Sequence, residues 1–345
     1  MPSALGQRED VLRAAEEAVA LRRELAAARP GERGPDLALS LNNLAKVLSA
    51  LGRRKDALSA AEEVVALYRE LAAARPEAFR PYLAGSLNNL GNRLSAVGRR
   101  EDALGAAKEA VGLYRELAAA SPDAFRPGLA RSLNNLAKRL SALGRHEDAS
   151  SASEQVVGLY RDLAAARPDA FRPDLARSLN NLADIVSDLG RPKVALSDAE
   201  EAVALYRDLS ADRPAFRRDL AMSLNNLANI LSVLDRREDA LGAGTEAVGL
   251  YRELAAASPD AFRPELAGLL SSQADGLEGV GRLSDAVKCD HESVAVLAPA
   301  LKSHAALAGP MIAYLKDYLR RAKAAGSEPD YELVEPIVER LQELI

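Results

Sequence analysis

A six-residue string, Ser132-Leu133-Asn134-Asn135-Leu136-Ala137, constrains this chain more than any other feature, because it returns almost unchanged with its serine at Ser40, Ser86, Ser178 and Ser223. The serines lie 46, 46, 46 and 45 residues apart by subtraction, and a worn copy, Leu269-Leu270-Ser271-Ser272-Gln273-Ala274, follows 46 residues after the last. A fixed period of about 20–50 residues marks a repeat array, in which one core grows along the length of the chain. The 345 residues therefore do not divide into the two globular domains that length alone suggests.

Charge and cysteine usage exclude several classes. The net charge is −5 and the isoelectric point about 5.5, whereas a nucleic-acid-binding domain carries a basic excess. No apolar run approaches the roughly 18 residues of a membrane span. Cys289 is the only cysteine, so no disulfide can form within the chain. Met1-Pro2-Ser3-Ala4-Leu5-Gly6 lacks the charged and apolar regions of a secretion signal. A cytoplasmic protein is expected.

The third unit shows the plan of each repeat. Pro127 stands where a missing N–H costs nothing, at the start of a first helix. Leu129, Leu133, Leu136, Ala137 and Leu140 then fall on one helical face, and Gly144 ends the helix as a residue that tolerates left-handed geometry. In the second unit Gly98 is followed by Glu101-Asp102, acidic residues suited to a helix N-terminus. A second helix there carries Leu104, Ala107, Val111, Tyr114 and Ala118 on one face and ends near Ala120, before Ser121-Pro122. The stretch Pro122-Asp123-Ala124-Phe125-Arg126-Pro127 reads as a connecting loop.

A hairpin of two such helices cannot bury both faces and must stack on its neighbours. All five phenylalanines (Phe79, Phe125, Phe171, Phe216, Phe262) recur in the connecting stretch, and Tyr68, Tyr114, Tyr160, Tyr206 and Tyr251 recur in the second helices. Both series are expected to pack between repeats. Residues 1–36 read as a truncated half-repeat, in which Ser3-Ala4-Leu5-Gly6 is the last turn of a first helix. The array proper covers 37–308. Residues 309–345 read as a C-terminal helical cap, with one helix from Pro310 to about Ala325 and a last one ending at Ile345.

Residues 37–299 resemble the tetratricopeptide repeat family, and the Leu-Asn-Asn-Leu-Ala string is most similar to the repeats of kinesin light chains. The family's small and large positions are matched by Leu90-Gly91, Leu94, Gly98, Ala103 and Ala110, and its small residue of the second helix recurs as Ala57, Ala103, Ala149, Ala195, Ala240 and Ala286. The usual unit has about 34 residues; here Tyr114 to Ala120 lengthens the second helix, and the loop and an earlier first-helix start absorb the rest. The resemblance implies an all-α fold, a right-handed α-α superhelix of antiparallel hairpins with the first helices lining a concave groove. It also implies a scaffold for protein interaction.

The first asparagines of the string, Asn42, Asn88, Asn134, Asn180 and Asn225, and the second, Asn43, Asn89, Asn135, Asn181 and Asn226, are poor helix formers held inside helices. A carboxamide has two N–H donors and an acceptor, so a row of them can hold the backbone of an extended peptide. In kinesin-light-chain-like repeats the matching asparagine is a peptide-backbone contact, which the resemblance implies for the second series. The alternative is that the asparagines bond to one another or to neighbouring helix ends. Arg131, Lys138 and Arg177, with Arg93 and Arg139 at the flank, make the middle of the groove basic, and Asp184 and Asp188 follow as an acidic spot. An extended acidic segment suits the basic middle, and a plain solvated face fits the same residues.

No catalytic constellation, cofactor loop or metal motif stands out. His146, His291 and His304 share no ligand spacing with Cys289, and no Gly-rich phosphate loop is present. The expected function is a non-catalytic scaffold binding a protein or peptide, with no nucleic acid, membrane or cofactor. The alternatives are a self-assembling module pairing through its open N-terminal repeat, or a sensor array excised from a larger bacterial signalling or defence protein.

Overall fold

The structure is a computed structural model, and it describes residues 4–301 and 304–344. Among them every regular element is helical. The first helices of the hairpins are α2 (Pro30–Ala50), α4 (Pro76–Ala96), α6 (Pro122–Ala142), α8 (Pro168–Asp188), α10 (Arg217–Val233) and α12 (Pro259–Gly279). The second helices are α1 (Ala4–Ala28), α3 (Arg54–Ala74), α5 (Arg100–Ala120), α7 (His146–Ala166), α9 (Pro192–Asp212), α11 (Arg237–Ala257) and α13 (Leu283–Leu301). Two further helices, α14 (Ala308–Ala325) and α15 (Tyr331–Leu344), follow. The helices group into two compact units, residues 1–171 and 172–345.

Within each hairpin the turn is short and the same chemistry recurs. Gly98 takes φ +81° and Gly144 φ +72°, while Arg99 N–H donates to Leu94 O and Arg145 N–H to Leu140 O, both at 2.9 Å. This is a Schellman stop, which needs a left-handed residue. In the next helix an aspartate three residues along, such as Asp102 for Arg99 at 2.7 Å, pairs with the residue before the helix. The fifth hairpin departs from this, because Asp235 stands at the glycine position with φ 59°.

The connection between hairpins is tighter than the sequence suggests. Pro122 to Pro127 is not a loop but the first turns of α6, and Pro127 lies inside that helix. Only Ser121 separates α5 from α6, with φ −144° and ψ 81°, the extended conformation that a residue before proline prefers. Pro122 occupies the first helical turn, where N–H groups have no acceptor, so Pro127 forfeits a single helical bond. Pro81, Pro173 and Pro264 sit the same way. In the unit with the 45-residue spacing, a 3-10 turn over Pro214–Phe216 replaces those first turns.

Leucine and alanine build the core. Leu41, Leu87 and Leu133 are at most 2% exposed in the first unit, as are Leu179, Leu224 and Leu270 in the second. Their partners are small: Ala57, Ala103, Ala149, Ala195 and Ala286 are each fully buried. The tyrosine ladder is buried throughout, and three of its rings meet the phenylalanine of the following first helix, Tyr160 to Phe171 at 6.4 Å, Tyr206 to Phe216 at 6.5 Å and Tyr251 to Phe262 at 6.3 Å between ring centroids. The connecting residues add guanidinium–ring contacts, Arg75 over Phe79 and Arg167 over Phe171, each at 4.9 Å.

The N-terminal region differs from its expected form. α1 runs unbroken from Ala4, so Gly6 makes no turn, and Met1 to Ser3 lie outside the described residues. The 36/37 boundary falls inside α2, and Ala308 rather than Pro310 begins α14. α15 closes on α14 through Val334, Ile337 and Leu341, and Ile345 lies outside the described residues. Arg321 of α14 is 1% exposed and donates to both carboxylate oxygens of Asp290 on α13, at 2.9 and 2.8 Å, and to Glu278 on α12 at 2.8 Å. Hydrogen bonds from Arg320 and then from Arg321 hold the Glu278 carboxyl down at about 2.

The left-handed cost at Asp235 can be tested. A non-glycine residue there costs about 1–2 kcal/mol, part of which the flexibility of glycine in the unfolded chain offsets. The Asp235–Arg237 pair is highly exposed and contributes little. Asp235→Gly is expected to stabilise the protein by roughly 0.5–1 kcal/mol in chemical denaturation; an unchanged or lower midpoint would contradict this account of the turn.

Candidate functional site

The two faces of the hairpin stack differ in how far the chain satisfies them. On the second helices an arginine of one repeat reaches a carboxylate of the next: Arg23 to Glu63, Arg69 to Glu109 at 2.7 Å, Arg207 to Glu246 at 2.8 Å and Arg252 to Glu292 at 2.6 Å. Gln155 takes the carboxylate's place opposite Arg115, at 3.0 Å. Each exposed pair stabilises by well under 1 kcal/mol, and together they tie successive second helices across this face.

On the first helices of the N-terminal unit a polar ladder runs from helix to helix. Asn88 is buried, and its Nδ2 donates to Ser132 Oγ at 2.6 Å. Asn135 Nδ2 donates in turn to Asn88 Oδ1 at 3.3 Å. One turn further, Arg93 donates to Ser49 Oγ at 2.6 Å, and Arg139 donates to Ser95 Oγ at 3.0 Å and to Asn92 Oδ1. Arg139 is half-buried, its Nε lacks a partner, and burial lowers its pKa from the usual value. These side chains hold successive first helices together.

Beside that ladder lies a recess of about 440 Å³ across α2, α4 and α6, lined among others by Asn42, Asn88, Asn89, Asn92, Arg131 and Asn135. Asn42 and Asn89 have no hydrogen-bond partner among the described residues, and the exposed Arg131 has no ion pair there. Tyr82, 58% exposed, stacks on Tyr68 at 5.6 Å and forms the aromatic side of the recess with Pro81, while Gly85 keeps its floor low. Sequence reasoning passed over Tyr82, because it follows Pro81 at the start of the expected first helix and belongs to neither the asparagine string nor an aromatic ladder. The available signal was its variation against Gly128, Asp174 and Glu265 at the same position of other units. Gly128 has its own reason, since a Cβ there would lie 2.4 Å from the Tyr114 ring.

The remaining candidates are placed differently. Asn43 and Lys138 are exposed and Asn134 is half-buried, and none of them is among the residues lining the recess. In the C-terminal unit Asn226 is buried and donates to Asn180 O at 3.2 Å and to its Oδ1 at 3.3 Å, while Asn181 is half-buried. The exposed Arg177 is already paired with Asp174 on its own helix. Asp184 is exposed at its surface, yet partial loss of hydration, with Asp188 one turn on, raises its carboxyl pKa. Asn225 lines a second recess of about 330 Å³ between α10, α11 and α12. Among the described residues no three His, Cys, Asp or Glu side chains gather as metal ligands would, and no helix is long and apolar enough to cross a membrane.

A tetratricopeptide repeat family profile matches residues 37–73, 83–123, 129–164, 175–212 and 220–260. The chain belongs to the tetratricopeptide repeat family. Its fold is similar to that of BtubC (BKLC) from P. vanneervenii, at 20% identity and TM-score 0.59, over 72% of this chain and 92% of that one. It is also similar to a putative kinesin light chain with nearly identical repeats from Podospora anserina, at 20% identity and TM-score 0.51, over 62% and 94% of the two chains. The apo form of RapI aligns at 11% identity and TM-score 0.54, over 84% of this chain and 97% of that one. No match was found among curated proteins. At these identities the likeness is one of fold. Tetratricopeptide arrays are scaffolds typical of protein–protein interaction, and the fold is typically non-catalytic.

Proposed function

We propose that this protein is a non-catalytic scaffold that binds an extended protein segment along its first helices, with the recess of the N-terminal unit as the main contact. The observation that carries this reading is the pair of unpartnered carboxamides, Asn42 and Asn89, beside the unpaired guanidinium of Arg131 in one recess. Carboxamides can hold a peptide backbone whatever its side chains, and a guanidinium selects a carboxylate by a two-pronged bond. The partner is therefore an extended segment with an acidic residue. The buried and bonded asparagines, Asn88 and Asn226, support the face rather than contact the partner. On the second helices the arginines Arg69, Arg207 and Arg252 are already engaged by a carboxylate of the next repeat.

Once a partner segment is in hand, titration by calorimetry tests the reading. Arg131→Ala is expected to weaken binding by about 1.5–3 kcal/mol, the value of a hydrogen bond to a charged group, and Asn89→Ala by about 1 kcal/mol. Arg69→Ala, on the second-helix face, is expected to change nothing. Equal affinity for the Arg131 variant and the parent would refute the site.

One observation favours self-association as a second activity. Val11, Leu21 and Leu25 are 55%, 61% and 54% exposed on one face of α1, while Ala57 and Leu71, at the positions of Val11 and Leu25 in the next second helix, are buried. Sedimentation over a hundredfold range of concentration is expected to show dimers that Leu21→Glu abolishes; a mass that stays monomeric at every concentration would exclude it.

A further inference from the structure

The recess between α10, α11 and α12 has an internal explanation. In α12 the worn string places Gln273 where the other first helices have Leu44, Leu90, Leu136, Leu182 and Leu227. It also places Gly276 where they have Val47, Arg93, Arg139, Ile185 and Ile230. At one position a leucine gives way to a polar side chain and at the other the side chain is missing, and the recess of about 330 Å³ lies beside both positions, within the size range of a ligand pocket. Ala240 registers the loss. It is only half-buried, whereas its counterparts Ala57, Ala103, Ala149, Ala195 and Ala286 are fully buried.

The other units show what the space is shaped for. In the N-terminal unit Arg139 reaches back from α6 to Ser95 Oγ and Asn92 Oδ1 on α4, and Arg93 reaches back to Ser49 Oγ on α2. The counterparts of Ser95 and Asn92 on α10 are Ser232 and Asn229. Both line the recess, both are exposed, and neither has a hydrogen-bond partner among the described residues. The acceptors that hold a guanidinium elsewhere in the array are present here, and the arginine is replaced by Gly276.

The charges around the recess agree. Asp275, 66% exposed, lines it and bonds Arg321, which also holds Asp290 and Glu278. Arg320 shares Glu278 and pairs with Asp317, so four carboxylates surround two guanidiniums. Arg237, the cationic side chain in the lining, is tied to Asp235 at 2.8 Å and to Gly279 O at 2.8 Å.

We infer that the recess between α10, α11 and α12 is a binding site for the guanidinium of an arginine side chain carried by a partner protein, which takes the place of the arginine that Gly276 lacks. Ser232 and Asn229 accept from its N–H groups, Asp275 supplies opposite charge, and the apolar wall of Leu241, Leu269 and Ala228 takes the methylene stem. A planar fork of donors fits such a set of acceptors, and a lysine ammonium does so less well. The site is independent of the recess in the N-terminal unit.

The test is titration of the full chain with N-acetyl-L-argininamide and, separately, N-acetyl-L-lysinamide, followed by NMR shifts of the Asn229 and Gln273 side-chain amides. The arginine probe is expected to bind at millimolar concentration, about tenfold tighter than the lysine probe. Gly276→Arg refills the space from within, requiring only the tip of Leu241, 3.0 Å from the new Cβ, to give way. This variant is expected to abolish binding and raise the melting temperature. Asn229→Leu, which removes an acceptor without crowding α12, is expected to weaken binding about tenfold. Arg131→Ala and Asn89→Ala are expected to leave the titration unchanged, so a failure here is separable from a failure of the groove reading. No shift at either amide, equal affinity for the two probes, or undiminished binding to Gly276→Arg and Asn229→Leu would each overturn the inference.

Discussion

The close approach of the two helices of a hairpin at a buried alanine is the contact on which the rest of the structure depends. Ala57, Ala103 and Ala149 in one unit, and Ala195 and Ala286 in the other, have no exposed surface. A larger side chain there would force the helices apart, as overpacking does in any close-packed interior. With the helices held close, the leucines of the first helix interdigitate with the second, and Tyr160, Tyr206 and Tyr251 reach the phenylalanines of the next first helix. The single extended residue between hairpins leaves little slack, so the stacking geometry is set by packing and by the proline that follows.

From this geometry follows the division of labour between faces. Arginine and glutamate on neighbouring second helices stand opposite one another and pair. The first helices present carboxamides and hydroxyls instead, and the chain uses some of these to tie helix to helix, as Asn88 does between Ser132 and Asn135. What it does not use is concentrated: Asn42, Asn89 and Arg131 in one recess, Ser232 and Asn229 in another. In the proposed reading, binding capacity is the remainder left by internal satisfaction, and it falls where the repeat varies or decays.

Much of the fold was legible because packing repeats with the period. Leu133, Ala137 and Gly144 occupy the roles that spacing predicts, and the second helices end where Ser121-Pro122 predicts. The helical state of Pro122 to Pro127 was not legible, since two prolines five residues apart read locally as a loop, whereas Phe125 N–H donates to Ser121 O at 3.2 Å and starts the helix between them. Candidate residues were partly legible. The asparagines stood out by their poor helix propensity, but which would be buried, as Asn88 is, and which left open, as Asn89 is, depends on the spacing between helices. Tyr82 and the Gly276 recess lay outside the repeating string, and each takes its meaning from a neighbouring helix.

The central claim is that partners engage the first-helix face and not the second. Photo-crosslinking from a benzoylphenylalanine placed at Asn89, and separately at Arg69, tests it most directly. The account predicts a covalent adduct with a bound partner from position 89 and none from position 69; adducts from position 69 alone would contradict it.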